Sequence, residues 1–72
     1  MIRIFKTNVI NSKDGNHLLE NVLQLKYPHF KINFDLEDCD NILRIDGTGT
    51  DYESNEIIAL MDTNGFLCEE LH

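Results

Sequence analysis

The stretch KINFDLEDCDNILRIDG, residues 31–47, decides the fold of this chain. From Lys31 to Leu36 polar and apolar residues alternate, so Ile32, Phe34 and Leu36 project to one face of an extended strand. Glu37 to Asn41 is a run of polar turn formers. Ile42-Leu43-Arg44-Ile45 reads as the returning strand, and Asp46-Gly47 with Thr48-Gly49 breaks it. Strand, polar loop and strand make an antiparallel hairpin, around which the flanking elements must be placed.

Upstream, Ile2 and Ile4 alternate with Arg3 and Phe5, which predicts a first strand. The polar run Asn11 to Asn16, with its Asp14-Gly15 pair, reads as a turn, and the period changes at His17. Leu18, Val22 and Leu25 recur at i, i+4 and i+7 with Leu19 and Leu23 beside them, a helix face that leaves Glu20, Asn21 and Gln24 outside. Asp14 or Asn16 suits its N-cap, and Pro28 ends it by pushing the preceding residue out of the α region. Downstream, Thr50 and Glu53 have capping-box spacing, ahead of a helix through Ile57, Leu60 and Met61. Asn64-Gly65 predicts a left-handed C-cap, and Phe66 to Leu71 a last strand.

The order is β-α-β followed by β-α-β in a single domain, residues 1–72. Two such units interleave as a ferredoxin-like α+β sandwich, with an antiparallel sheet of order 4-1-3-2 and both helices on one face. That topology gathers the first loop, the 37–41 hairpin and the start of the last strand at one end.

The runs FKTNV (5–9), Lys31 to Gly47 and NGFLC (64–68) resemble the heavy-metal-associated domain, the small βαββαβ module of copper chaperones and metal-transporting ATPases. Gly65-Phe66 is similar to the Gly-Tyr or Gly-Phe that opens the last strand there. The resemblance implies a Cys-x-x-Cys pair in the first loop, where two thiolates converge on one soft ion. This chain departs from the family at that point: Asn11, Ser12, Lys13 and Asp14 stand in the loop, with no sulfur. Metal carriage is therefore not transferred, and neither copper nor zinc is expected as a cofactor.

Cys39, Cys68, His17 and Asp14 are metal-ligating types near the loop end. Cys39 belongs beside one edge strand and Cys68 lies on the other. Three strand steps separate them by roughly 14 Å, so a shared ion or a disulfide would need a large loop movement. Cys68 reads as a small core residue beside Phe66, Cys39 as an exposed hairpin residue and His17 as a solvated first-turn residue. The calcium-loop spacing is absent. The sequence has no nucleophile elbow and no complete phosphate loop: Gly47-Thr48-Gly49 lacks both a third glycine and a lysine. No catalytic residues are expected.

Thirteen acidic residues against six basic ones, a formal charge of −7, oppose nucleic acid and anionic membranes as partners. The N-terminal run MIRIFKTNV lacks a signal-peptide pattern, and no apolar run approaches the about 20 residues of a membrane span. A cytoplasmic address is the expectation. The function expected is that of a binding domain acting on a protein partner or a second copy of itself; the alternative is a copper- or zinc-handling protein using Cys39, Cys68 or His17 in a non-standard site. With Ile2, Ile4, Leu43 and Ile45 turned to the helices, the open sheet face would carry Arg3, Phe5, Ile42, Arg44 and Leu67. Acids also crowd the second helix start at Asp51, Glu53 and Glu56, where they suit the helix dipole and steer a basic partner.

Overall fold

The computed structural model describes residues 2–47 and 49–72; Thr48, in the turn expected after the third strand, lies outside them. The described chain runs β1 (Ile2–Thr7), α1, β2 (Lys31–Asp35), β3 (Ile42–Asp46), α2 (Ser54–Thr63) and β4 (Cys68–Leu71). Helix α1 is continuous but composite: Ser12–Leu18 is α-helical, Leu19–Leu23 π-helical and Gln24–Lys26 α-helical. The strands form a four-stranded antiparallel sheet of order β2-β3-β1-β4, the expected order read from the other edge. Phe5, Leu43 and Ile45 from the central strands share one fully buried core with Leu18 and Leu23 of α1 and Ile57 and Met61 of α2. Both helices therefore cover the sheet face that carries Phe5.

That placement reverses the expectation for β1. Opposed residues of an antiparallel pair share a face. Phe5 pairs with Leu43 and Arg3 with Ile45, so Arg3, Phe5 and Thr7 point to the helices while Ile2, Ile4 and Lys6 point away. The choice follows from what each phase would bury. The alternative would place Lys6 under the helices, and an unpaired buried ammonium is prohibitive. In the observed phase the polar members find partners, apart from the buried Arg3 Nε. The Thr7 hydroxyl donates to the Asn41 carbonyl at 2.6 Å and accepts from the Val9 N–H. Arg3, nearer the strand end, donates to Glu70 Oε2 at 3.0 Å and to the Tyr52 carbonyl at 3.3 Å.

The first helix also departs from expectation at both ends. It begins at Ser12, because Asn11 is the N-cap and its Oδ1 accepts from the Asp14 N–H at 2.8 Å. Asp14 and Gly15 are thus helical rather than a turn. Gly15 is buried against β2, where an added Cβ would stand 3.3 Å from Leu36 Cδ1. Leu18 and Leu23 are both fully buried although five residues apart. In an α-helix that spacing is about 140° out of phase, at 3.6 residues per turn. The π turn, with the Gln24 N–H bonded to the Leu19 carbonyl, restores them to one face. The extra residue rotates Leu25 into solvent at 73% exposure, against the expected i+7 position. It also turns Gln24 inward, where its Nε2 donates to the Tyr27 and Phe30 carbonyls at 3.0 and 3.1 Å.

Thr50 and Glu53 form no capping box. The Thr50 N–H closes a turn onto the Gly47 carbonyl, and the segment stays extended to bury Tyr52, whose hydroxyl donates to the Ile45 carbonyl at 2.9 Å. Helix α2 therefore starts at Ser54, without a side-chain cap. Its C-terminus matches expectation. Gly65 has φ +88°, its N–H meets the Asp62 carbonyl, and the Phe66 N–H meets the Met61 carbonyl, which is the Schellman arrangement.

Candidate functional site

Three surfaces carry chemistry. The first is the loop end, where the expected gathering is observed. The Thr7 N–H donates to the Asp40 carbonyl at 3.2 Å, joining β1 to the hairpin. The Leu67 N–H donates to Asn8 Oδ1 at 2.8 Å, joining the first loop to the approach to β4. The first-loop residues themselves serve the helix start. Asn11 Nδ2 donates to Asp14 Oδ2 at 3.1 Å, while Ser12 and Lys13 are exposed on the first turn. His17 is exposed and bonded to Asn21 on its own helix.

Among the described residues, one trio of His, Cys, Asp or Glu brings its ligand-type atoms together: Asp38, Cys39 and Asp40, within 4.8 Å of one another. Asp38 Oδ1 already accepts from the Asp40 N–H at 2.9 Å, and Lys6 Nζ stands 3.7 Å from Asp40. His17, Asp14 and Cys68 do not join this trio. Cys68 is half-buried against the core, and burial pushes its thiol up to about 12. It is therefore a protonated thiol at neutral pH, whereas the metal ligand is the thiolate.

The second surface is the open face of the sheet. Its side chains follow from the register: Ile2, Ile4 and Lys6 on β1; Ile42, Arg44 and Asp46 on β3; Lys31, Asn33 and Asp35 on β2; Glu69 and Leu71 on β4. Of the residues expected there, Ile42 and Arg44 are present. Arg3 and Phe5 are on the opposite face, and Leu67, exposed at 69%, precedes β4. Ile4 stands directly opposite both Leu71 and Arg44, which makes it the centre of an apolar patch with Ile2 and Ile42. Three cations and three anions surround the patch. Lys6 opposes Glu69, and Lys31 opposes Asp46. The sequence signal that assigns Ile4 to this face is Lys6, which has the same parity and resists burial.

The third surface lies at the end of the sandwich remote from the first loop, between the C-terminal turn of α1 and the lead-in to α2. Here Tyr27, Phe30 and Tyr52 form an aromatic wall. Tyr27 and Phe30 stack at 4.8 Å and 11°, and Phe30 meets Tyr52 at 5.1 Å and 50°. The Arg3 guanidinium stands 5.2 Å over the Tyr52 ring and is paired with Glu70, which also accepts from the Ser54 hydroxyl. These two donors hold the Glu70 carboxyl below its ordinary range, and Glu70 in turn raises Arg3 further. The Tyr27 hydroxyl donates to Glu56 Oε2 at 3.0 Å, and burial together with that carboxylate pushes its ionisation up to about 12. The wall borders a cleft of about 390 Å³. Its acids are legible in the sequence, whereas the cleft is not. The available signal was two aromatics around Pro28 and a tyrosine between the acids Asp51 and Glu53.

No helix is long and apolar enough to cross a membrane among the described residues. No protein-family model, no curated protein and no solved structure matches the chain.

Proposed function

We propose that this chain is a small non-enzymatic interaction domain of ferredoxin-like, heavy-metal-associated-like architecture, working as a weak homodimer through its open sheet face. The supporting observation is the charge of that face. Its three cations and three anions balance, so the whole formal charge of −7 lies elsewhere on the molecule. Two copies of an acidic protein repel least when their neutral faces meet, and opposed Lys–Glu and Lys–Asp rows supply complementarity. Ile4, Ile42 and Leu71 supply the apolar centre an interface needs.

Four strands at about 4.8 Å spacing and five residues at about 3.3 Å give a face of about 300 Å² in projection. That is small beside the about 800 Å² per partner of a standard interface, so association is weak and reversible. The βαββαβ connectivity and sheet order support the family reading, with the first loop given over to helix capping. A cytoplasmic site of action belongs to the same reading, in keeping with two thiols that are both free. A copper- or zinc-handling role draws less support, since its best donors reduce to the exposed Asp38 and Cys39 and the half-buried Asp40.

Sedimentation equilibrium from about 10 µM to about 1 mM tests the proposal, a range that spans weak complexes. The weight-average mass should rise toward a dimer, and Ile4→Glu should hold it at the monomer. A monomer at every concentration, or a dimer indifferent to Ile4→Glu, would overturn it.

A further inference from the structure

We propose that the cleft between α1 and α2 receives an arginine side chain presented by a partner protein. Two features converge there, and neither belongs to the open sheet face. The wall is aromatic: both tyrosines of the chain, Tyr27 and Tyr52, flank Phe30. The rim is acidic: Asp51, Glu53 and Glu56 line the same cleft and are exposed. Aromatic faces carry negative quadrupole potential and attract a guanidinium, and carboxylates accept its N–H donors in pairs.

The local charges favour a cation. Lys26 contributes one opposing charge, and the N-terminus of α2 contributes about half of another. In formal charge at pH 7, the three carboxylates exceed these terms by more than one full charge. Arg3 adds nothing to the balance because Glu70 neutralises it. Its seat over the Tyr52 ring shows that this aromatic cluster already holds one guanidinium. Tyr27 occupies one oxygen of Glu56, and an ionised carboxylate has about four acceptor sites, so further donors can be accommodated.

The source of the cation follows from the shape. The rim acids are exposed and the cleft is a surface feature, so it wraps only part of a guest. A free small cation would keep much of its hydration and gain little against its lost translational freedom. A side chain tethered to a docked polypeptide does not meet that cost alone. Arginine is preferred to lysine because its planar fork both stacks and bonds bidentately.

The test uses isotope-labelled protein and three capped tripeptides, acetyl-Gly-Arg-Gly-amide and its lysine and glutamine counterparts, followed by two-dimensional NMR. The arginine peptide should shift the ring signals of Tyr27 and Phe30 and the backbone signals of residues 51–56. Removing one of the carboxylates by Glu56→Gln should weaken its binding about fivefold, the ratio for loss of one exposed charge-assisted contact of about 1 kcal/mol. Asp51→Asn should act in the same direction, and because both positions are exposed the variants keep the parent spectrum elsewhere. The proposal is overturned if the glutamine peptide binds equally well, if neither variant weakens the arginine peptide, or if no signal shifts at tens of millimolar peptide. Guanidinium ion binding as tightly as the arginine peptide would also overturn the assignment to a protein-borne side chain.

Discussion

Replacing Phe5 and Ile4 one at a time by alanine tests the phase of β1, on which the core and the open face both depend. A domain of 72 residues has a stability of about 4–11 kcal/mol, at about 0.05–0.15 kcal/mol per residue. Phe5 is fully buried on a central strand, opposite Leu43. Truncating it leaves a cavity beneath two helices, at a cost of about 3–5 kcal/mol. Ile4 is half-buried on the face away from the helices, so water fills the space it leaves. Three methylene-sized groups, about half desolvated at about 0.8 kcal/mol each, put its truncation at about 1 kcal/mol. Urea unfolding followed by circular dichroism reads the difference, at micromolar concentration so that self-association does not contribute. With a slope of about 1 kcal/mol per molar for so small a chain, Ile4→Ala lowers the midpoint by about 1 M. Phe5→Ala lowers it by about 3 M or leaves the chain unfolded in buffer. If Ile4→Ala proves as damaging as Phe5→Ala, or more so, β1 has the other phase and the interface assignment falls with it.

Three further outcomes are expected. Tyr52→Phe removes the buried hydrogen bond to the Ile45 carbonyl and should cost about 1 kcal/mol in the same urea assay, with little change in slope. Glu70→Gln should destabilise at pH 7, because the folded carboxyl is held below its unfolded value by Ser54 and Arg3. That contribution is present above the unfolded pKa and lost as pH falls through the folded one, so wild type and variant should converge in acid thermal melts below about pH 4. Toward iodoacetamide at pH 8, Cys68, with its thiol near 12, should react about a thousandfold more slowly than an ordinary thiol of pKa about 8.5, whereas the exposed Cys39 is labelled first; peptide mapping after timed quenching gives both rates.

Legibility in the sequence tracked the range of the interaction. The β2–β3 hairpin is legible because alternation over Lys31–Leu36 and the polar loop after it are contiguous signals. The Gly65 cap is legible for the same reason: only a residue tolerant of positive φ serves there, and glycine follows the last apolar turn of α2. The first helix is legible as a helix, but its N-terminus is not. Asn11 competes locally with Asp14 and Asn16 for the cap, and Gly15 resembles a turn residue until β2 is known to pass beside it. The capping box at Thr50 failed because burying Tyr52 against β3 outweighed a cap on exposed backbone. Asp14, His17, Cys39 and Cys68 belong to elements that meet toward the loop end, but proximity of elements does not bring donor atoms together. The aromatic cleft went unseen because Tyr27 and Tyr52 belong to opposite halves of the chain.

The sequence by itself determined the order of elements, the hairpin and the acidic balance, since propensity, turn chemistry and charge are properties of neighbouring residues or of composition. Tertiary structure alone decided how Arg3 is accommodated on the helix side of β1, the π turn in α1 and the pairing of the two cleft walls. The apolar pattern of β1 admits two phases of equal periodicity, which Lys6 alone separates. Arg3 can turn inward only because Glu70, 67 residues later, returns on β4 to meet it. The π turn likewise exists because Leu18 and Leu23 must both reach a core that the sheet supplies, a demand no periodicity within the helix expresses.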